Sequence, residues 1–143
     1  MGESLNMFAS TREGLVWLGG LFDGEGCLSV RHNREKGWSA SVIQFRMTDK
    51  DSLERAATVL SSFLGKDCRV LGPYKQRPRT DRGKCKDIYC LDVTNRNDVY
   101  AVIVAIWPFV NTRRQIRFGE FVDWYKTTSY HNKSRKDNKH ERK

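Results

Sequence analysis

Residues 18–26 read LGGLFDGEG, and this stretch restricts the fold more than any other in the chain. Leu15, Leu18 and Phe22 recur at helical spacing, with Trp17 and Leu21 beside them, which predicts a helix burying one side. Gly19 and Gly20 fall inside that helix, where each costs roughly 1 kcal/mol of helix propensity. Two such costs in succession point to a close approach of another backbone. The helix ends on Asp23 and Glu25, each followed by a glycine, and Gly24 and Gly26 suit a sharp exit. Ser10-Thr11-Arg12-Glu13 has the pattern of a capping box that would open it.

The following segments alternate at a different period. CLSVRH (27–32) and WSASVIQFRM (38–47) read as two strands of a hairpin, joined by a polar turn at 33–37. Ser29 and Arg31 share one face of the first strand, Leu28 and Val30 the other. Val42, Gln44 and Arg46 share a face of the second, opposite Ser41, Ile43 and Phe45. Thr48 or Asp49 caps a second helix over 50–64, carried by Leu53, Ala56, Ala57, Leu60 and Leu64 and closed by Gly65. A second strand pair spans 68–74 and 87–93, around the cationic loop KQRPRTDRGKCK. A third helix covers 97–106 and stops at Pro108, and a fourth runs from Asn111 or Thr112 to Tyr125. The predicted class is α+β: four antiparallel strands with helices on one face and a polar, basic face on the other.

The chain has 143 residues, which fits a single domain over 1–125, followed by a basic, disordered tail over 126–143. The net charge of +9 suits a polyanionic partner. The four cysteines form no CxxC pair and, with three histidines, complete no zinc spacing, so free thiols are expected. Early charges argue against a signal peptide, and no apolar run suffices to cross a membrane, so an intracellular, non-secreted protein with no membrane partner is expected.

Within this basic chain the two acids need a reason. Asp23 lies in the last helical turn, where negative charge is disfavoured, and a local backbone donor is its plainest partner. Glu25 stands between two glycines past the helix, free to point outward. A single carboxylate is a poor site for a divalent ion. Two helices packed through Gly19 and Gly20 would bring two Glu25 side chains together, and Mg²⁺ accepts carboxylate and phosphate oxygens alike.

WLGGLFDGEG resembles the signature helix of the LAGLIDADG homing endonucleases, matching all nine signature positions with mild substitutions at Gly19, Phe22, Gly24 and Glu25. The order of elements is similar to that family's αββαββα unit over about residues 12–125. The resemblance implies a DNA endonuclease dependent on Mg²⁺. One signature occurs, which implies a homodimer packed through Leu18, Gly19, Gly20 and Asp23, making a double-strand break in a long pseudo-palindromic site on double-stranded DNA. It assigns Glu25 as metal ligand, with the Gly24 carbonyl beside it. It places Asp49 near the hydrolytic water, where relatives often carry Gln, and Asp49 equally suits a helix cap. It places Arg113 where relatives carry a lysine near the cleavage centre, with Arg114 as rival.

For base contacts the best candidates are Arg31, Gln44 and Arg46, because Arg pairs with guanine and Gln with adenine in the major groove. Ser29 and Asn33 follow. Arg69, Lys75, Arg77, Arg79, Arg82, Lys84 and Lys86 supply charge for bases or phosphates. An intron-RNA splicing maturase, or a non-cleaving DNA-binding protein of the same fold, is the alternative.

Overall fold

The computed structural model describes residues 12–33, 35, 38–75 and 86–141, with backbone alone for 32, 33, 38 and 128–141. The proposed capping box at Ser10-Thr11 and the loop positions Arg77, Arg79, Arg82 and Lys84 lie outside the described residues. In chain order the elements are α1 (Arg12–Glu25), β1 (Gly26–Asn33), β2 (Trp38–Met47), α2 (Lys50–Leu64), β3 (Leu71–Lys75), β4 (Asp87–Val93), α3 (Arg96–Ile106), a 3₁₀ turn (Trp107–Phe109) and α4 (Thr112–Glu141). The strands form one antiparallel sheet in the order β1-β2-β4-β3, so β2 and β4 are interior and β1 and β3 are edges.

Helices and sheet share one core. Leu18 and Phe22 of α1, Ile43 and Phe45 of β2, Leu91 of β4, Ile103 of α3 and Phe118 of α4 are fully buried. The Phe22 ring sits edge-on to Phe45 at 5.9 Å and tilted on Phe118 at 5.2 Å, so one aromatic side chain of α1 joins sheet and C-terminal helix. The sheet's apolar pattern has period two and the helices' has period 3.6, which is why the two layers close on each other.

Local chemistry sets the boundaries. Asp49 caps α2 by accepting from the Ser52 N–H at 3.2 Å, and Gly65 ends it in the left-handed region at φ 65°. Asn95 caps α3 through the N–H groups of Asn97 and Asp98. β3 begins at Leu71 rather than at Cys68. Residues 67–70 are held back as a loop because the Cys68 N–H donates to Ser61 Oγ at 2.9 Å. A register shift between Leu71 and Tyr74 interrupts its ladder with β4.

The largest departure from expectation is α4. It runs 30 residues, or ~45 Å at 1.5 Å per residue, and passes through Tyr125 instead of ending there. No glycine or proline interrupts residues 120–141. Near its midpoint α4 is tied to α3: Arg96 donates to the Tyr125 carbonyl and stacks 4.1 Å over its ring, and Tyr100 stacks on the same ring at 4.3 Å. Position 125 is therefore a tethering point and not a boundary of secondary structure.

Candidate nucleic-acid interface and its acidic cleft

Strand alternation divides the sheet into two faces. Leu28, Ile43, Phe45, Leu91 and Val93 point at the helices and are at most 6% exposed. The opposite face is assembled by register: Arg31 lies across from Ala40, Ser29 from Val42, Cys27 from Gln44, Gln44 from Asp92, and Arg46 from Cys90. Arg31 and Arg46 are exposed there, while Ser29 and Gln44 are half-buried. These four residues share a face with period two, as their positions in sequence require. The Asn33 backbone pairs with Trp38 at the far end of β1. Lys75 and Lys86, at the ends of β3 and before β4, are exposed. Arg69 is exposed as well, but its Nε is engaged by Asp67 Oδ2 at 2.7 Å.

At the near end of this face, Glu25, Arg46, Met47, Thr48 and Ile88 line an open cleft of about 350 Å³. Glu25 is exposed and is the last residue of α1. The expectation that it stands past the helix is corrected by one position. The last four carbonyls of a helix have no intrahelical partner, so the Gly24 oxygen beside it has no donor from within α1. The last turn carries no basic residue of its own, so the cations that offset its two carboxylates and the negative end of the helix dipole come from other elements.

Asp23 is used differently from Glu25. Its Oδ1 accepts from the Asn111 N–H at 3.1 Å, and its carbonyl accepts from Arg114 Nη2 at 3.4 Å. The Arg114 guanidinium also lies 5.1 Å over the Phe22 ring. Arg114 is thereby committed to holding α1 against α4. Its neighbour Arg113 is exposed and lines a separate hollow of about 290 Å³ with Cys27, Leu28 and Phe22. Arg113 and Glu25 thus line different hollows that share no lining residue.

The glycines of the opening motif separate into two pairs. A Cβ on Gly19 would stand 2.7 Å from Phe109 Cβ, and one on Gly26 would stand 2.2 Å from the Phe22 ring. Both are required by contacts inside the chain. A Cβ on Gly20 or Gly24 would meet nothing within 4 Å. With Val16, 44% exposed, they form a bare stripe at i, i+4 and i+8 on α1. The subunit contact expected at Leu18 and Gly19 is therefore corrected. Leu18 is fully buried and Gly19 is packed on Phe109, and the open face of the helix is Val16, Gly20 and Gly24.

Asp49 presents both carboxylate oxygens to Ser52, to its N–H and, at 2.8 Å, to its hydroxyl. Those bonds hold its carboxyl below the usual aspartate value. Among the described residues no three His, Cys, Asp or Glu side chains gather as a metal site. Glu25 and the Gly24 carbonyl are hard oxygen donors of the kind Mg²⁺ takes, and they are too few to enclose it. They fit an ion whose remaining ligands come from outside the chain. Cys27, Cys68 and Cys90 are free thiols, and among the described residues no helix is long and apolar enough to cross a membrane.

An α+β unit with an antiparallel sheet that exposes Arg31 and Arg46, and an acid at the end of a glycine-bearing helix, is the architecture that the resemblance implies. The LAGLIDADG endonuclease family model matches residues 18–128, and the chain belongs to that family. No curated protein matches it. Its fold is similar to those of several solved homing endonucleases. The homing endonuclease I-CvuI in complex with its target aligns with a TM-score of 0.58 at 16% identity, covering 80% of this chain and 67% of that one. The group I intron-encoded I-CeuI complexed with DNA aligns at 0.58 and 14%, covering 90% and 60%. The meganuclease I-AabMI bound to uncleaved DNA aligns at 0.58 and 15%, covering 81% of this chain and 37% of that one.

Proposed function

We propose that the protein is a sequence-specific homing endonuclease that cleaves both strands of a pseudo-palindromic DNA site as a homodimer, with Mg²⁺ as cofactor. The observation that carries this is the cleft shared by Glu25 and Arg46. It joins the acid of α1 to the outward face of the sheet, so a duplex lying on the strands brings its backbone to the carboxylate. The bare stripe of Val16, Gly20 and Gly24 supports association through α1, which would set two Glu25 side chains on one axis. Coverage of 37% of the I-AabMI chain fits one unit standing where that chain has room for two.

Glu25 and the Gly24 carbonyl would hold the cofactor, which supplies acidity to bound water and positive charge against the phosphate. The other groups act directly. Arg113 offers a fixed positive charge to a phosphate oxygen; it cannot relay a proton because guanidinium stays protonated. Asp49 follows Thr48 of the cleft and keeps acceptor capacity for an incoming water while capping α2. Arg31, Gln44, Arg46, Ser29 and Asn33 read base edges. Arg69, Lys75, Lys86 and the arginines and lysines at 77, 79, 82 and 84 add contacts to phosphate and base.

The test is selection of a target from a randomised duplex library, followed by cleavage assays in Mg²⁺, Ca²⁺ and chelator. Wild type should cut in Mg²⁺ alone, and Glu25→Gln should bind the same site without cutting it. Mg²⁺-dependent cutting by the Glu25 variant at wild-type rate defeats the assignment. Absence of any cut target, together with tight binding of a structured intron RNA, would move it to maturase.

A further inference from the structure

We propose that Asp92 is a base-reading residue: it admits a base carrying an exocyclic amine at its major-groove edge, cytosine or adenine, and excludes guanine and thymine. The inference rests on the DNA-reading function proposed above. Asp92 lies in β4, an interior strand, directly across from Gln44. Its neighbours Leu91 and Val93 are in the core, so alternation puts Asp92 on the same face as Gln44 and Arg46. The Cys90 thiol senses both charges, since burial and the Asp92 carboxylate raise it and the Arg46 guanidinium lowers it. Asp92 and Arg46 therefore flank Cys90 on one surface.

Asp92 Oδ1 is buried and has no hydrogen-bond partner, and Asp92 forms no ion pair among the described residues. A buried acceptor without a donor is a standing cost. On a face that receives a polyanion, a carboxylate adds repulsion. A donor that arrives with the ligand would relieve both costs. The DNA backbone offers none, since its phosphates and deoxyribose ring oxygens are acceptors. In the major groove the donors are the N4 amine of cytosine and the N6 amine of adenine, whereas guanine presents N7 and O6 and thymine presents O4. The aspartate χ2 torsion is broad, so a small rotation of the carboxyl brings either oxygen to such an amine. Against guanine or thymine the same carboxylate meets only acceptors and stays unpaired. Specificity here comes from rejecting the wrong base as much as from holding the right one.

The experiment uses the full chain and its selected target. Base preference at every position is profiled for wild type, Asp92→Asn, Asp92→Ser and Arg46→Ala, each first checked for cooperative thermal unfolding. In Asp92→Ser one column per half-site should lose its preference for cytosine or adenine over guanine and thymine, by on the order of tenfold, and in Asp92→Asn, whose amide donates as well as accepts, the same column should shift toward adenine or cease to exclude guanine and thymine. That column should differ from the one altered by Arg46→Ala. Profiles identical to wild type in both Asp92 variants overturn the inference. So does a change confined to the Arg46 column, since Asp92 would then be positioning Arg46. A wild-type chain that selects no sequence at all defeats the proposed function itself, and this inference with it.

Discussion

Asp23 and Asn111, far apart in sequence, are joined by a 3.1 Å hydrogen bond from the Asn111 N–H to the Asp23 carboxylate. Asn111 Oδ1 in turn accepts from the Arg114 N–H at 2.9 Å, capping α4. The two bonds form a relay from the end of α1 to the start of α4. Removing the acceptor with Asp23→Ala should lower stability by about 1 kcal/mol. Glu25→Ala, which removes a charge from the negative end of the helix dipole, should not lower the urea midpoint. Equal midpoints for wild type and the Asp23 variant would show that the relay contributes nothing.

Gly19 and Gly20 are adjacent and should behave in opposite ways. Gly19→Ala forces its methyl into Phe109 and should destabilise the fold by about 1–3 kcal/mol. Gly20→Ala meets open space and should raise monomer stability by up to about 1 kcal/mol through helix propensity. Gly20→Leu should abolish dimerisation while the monomer remains folded. Denaturation combined with sedimentation checks all three, and a Gly20→Leu variant that sediments as a dimer would remove α1 from the interface.

The Asp49 cap carries a pH signature. Its carboxyl is held below the usual value, chiefly by the Ser52 hydroxyl and then by the Ser52 N–H. A depressed folded-state value means that the charged cap stabilises the protein fully above the unfolded-state value. That contribution is lost as pH falls through the lower, folded-state value. The urea midpoint of Asp49→Ala should therefore lie below wild type by a constant amount from pH 5 to 7, a window set well above the ordinary aspartate range. The gap should shrink on acidification. A gap that widens in acid would contradict the assigned bonds.

Arg46 and the C-terminal segment should separate readout from affinity. Arg46→Ala should relax one base position in each half-site, at roughly 1–3 kcal/mol. Truncation after Tyr125 removes seven basic and two acidic residues and should weaken binding to all sequences, with a shallower dependence on salt. Footprinting and salt titration report the two effects. A salt slope unchanged by truncation would exclude the segment from the interface.

Much of the fold is legible because period and punctuation agree. Asp49 and Gly65 bracket α2 in sequence as they do in space, and the alternation through Ile43 and Phe45 names the core face of β2. The roles of the four glycines in the motif are not legible, because sequence records that a side chain is missing and not what lies opposite. Phe109, which makes Gly19 obligatory, is 90 residues away in the chain. The bond from Asp23 to Asn111 is hidden for the same reason: sequence points to a local backbone donor for that carboxylate, and the donor comes instead from the start of α4. Asp92 is silent in sequence because a lone acid in an apolar strand gives no signal until β2 is placed beside it. Its sequence cue is the alternation with Leu91 and Val93.

One covalent detail has a reach beyond its size. Glu25 ends α1 and Gly26 begins β1, with no residue between them. Under the proposed function, the cutting group and the reading strand are one rigid caliper with no hinge between jaw and scale. Substitutions along β1 and β2 should rewrite which bases are preferred while the distance from those bases to the cut stays fixed. A variant retargeted by strand substitutions should break its new site at the same offset from the centre, to the nucleotide.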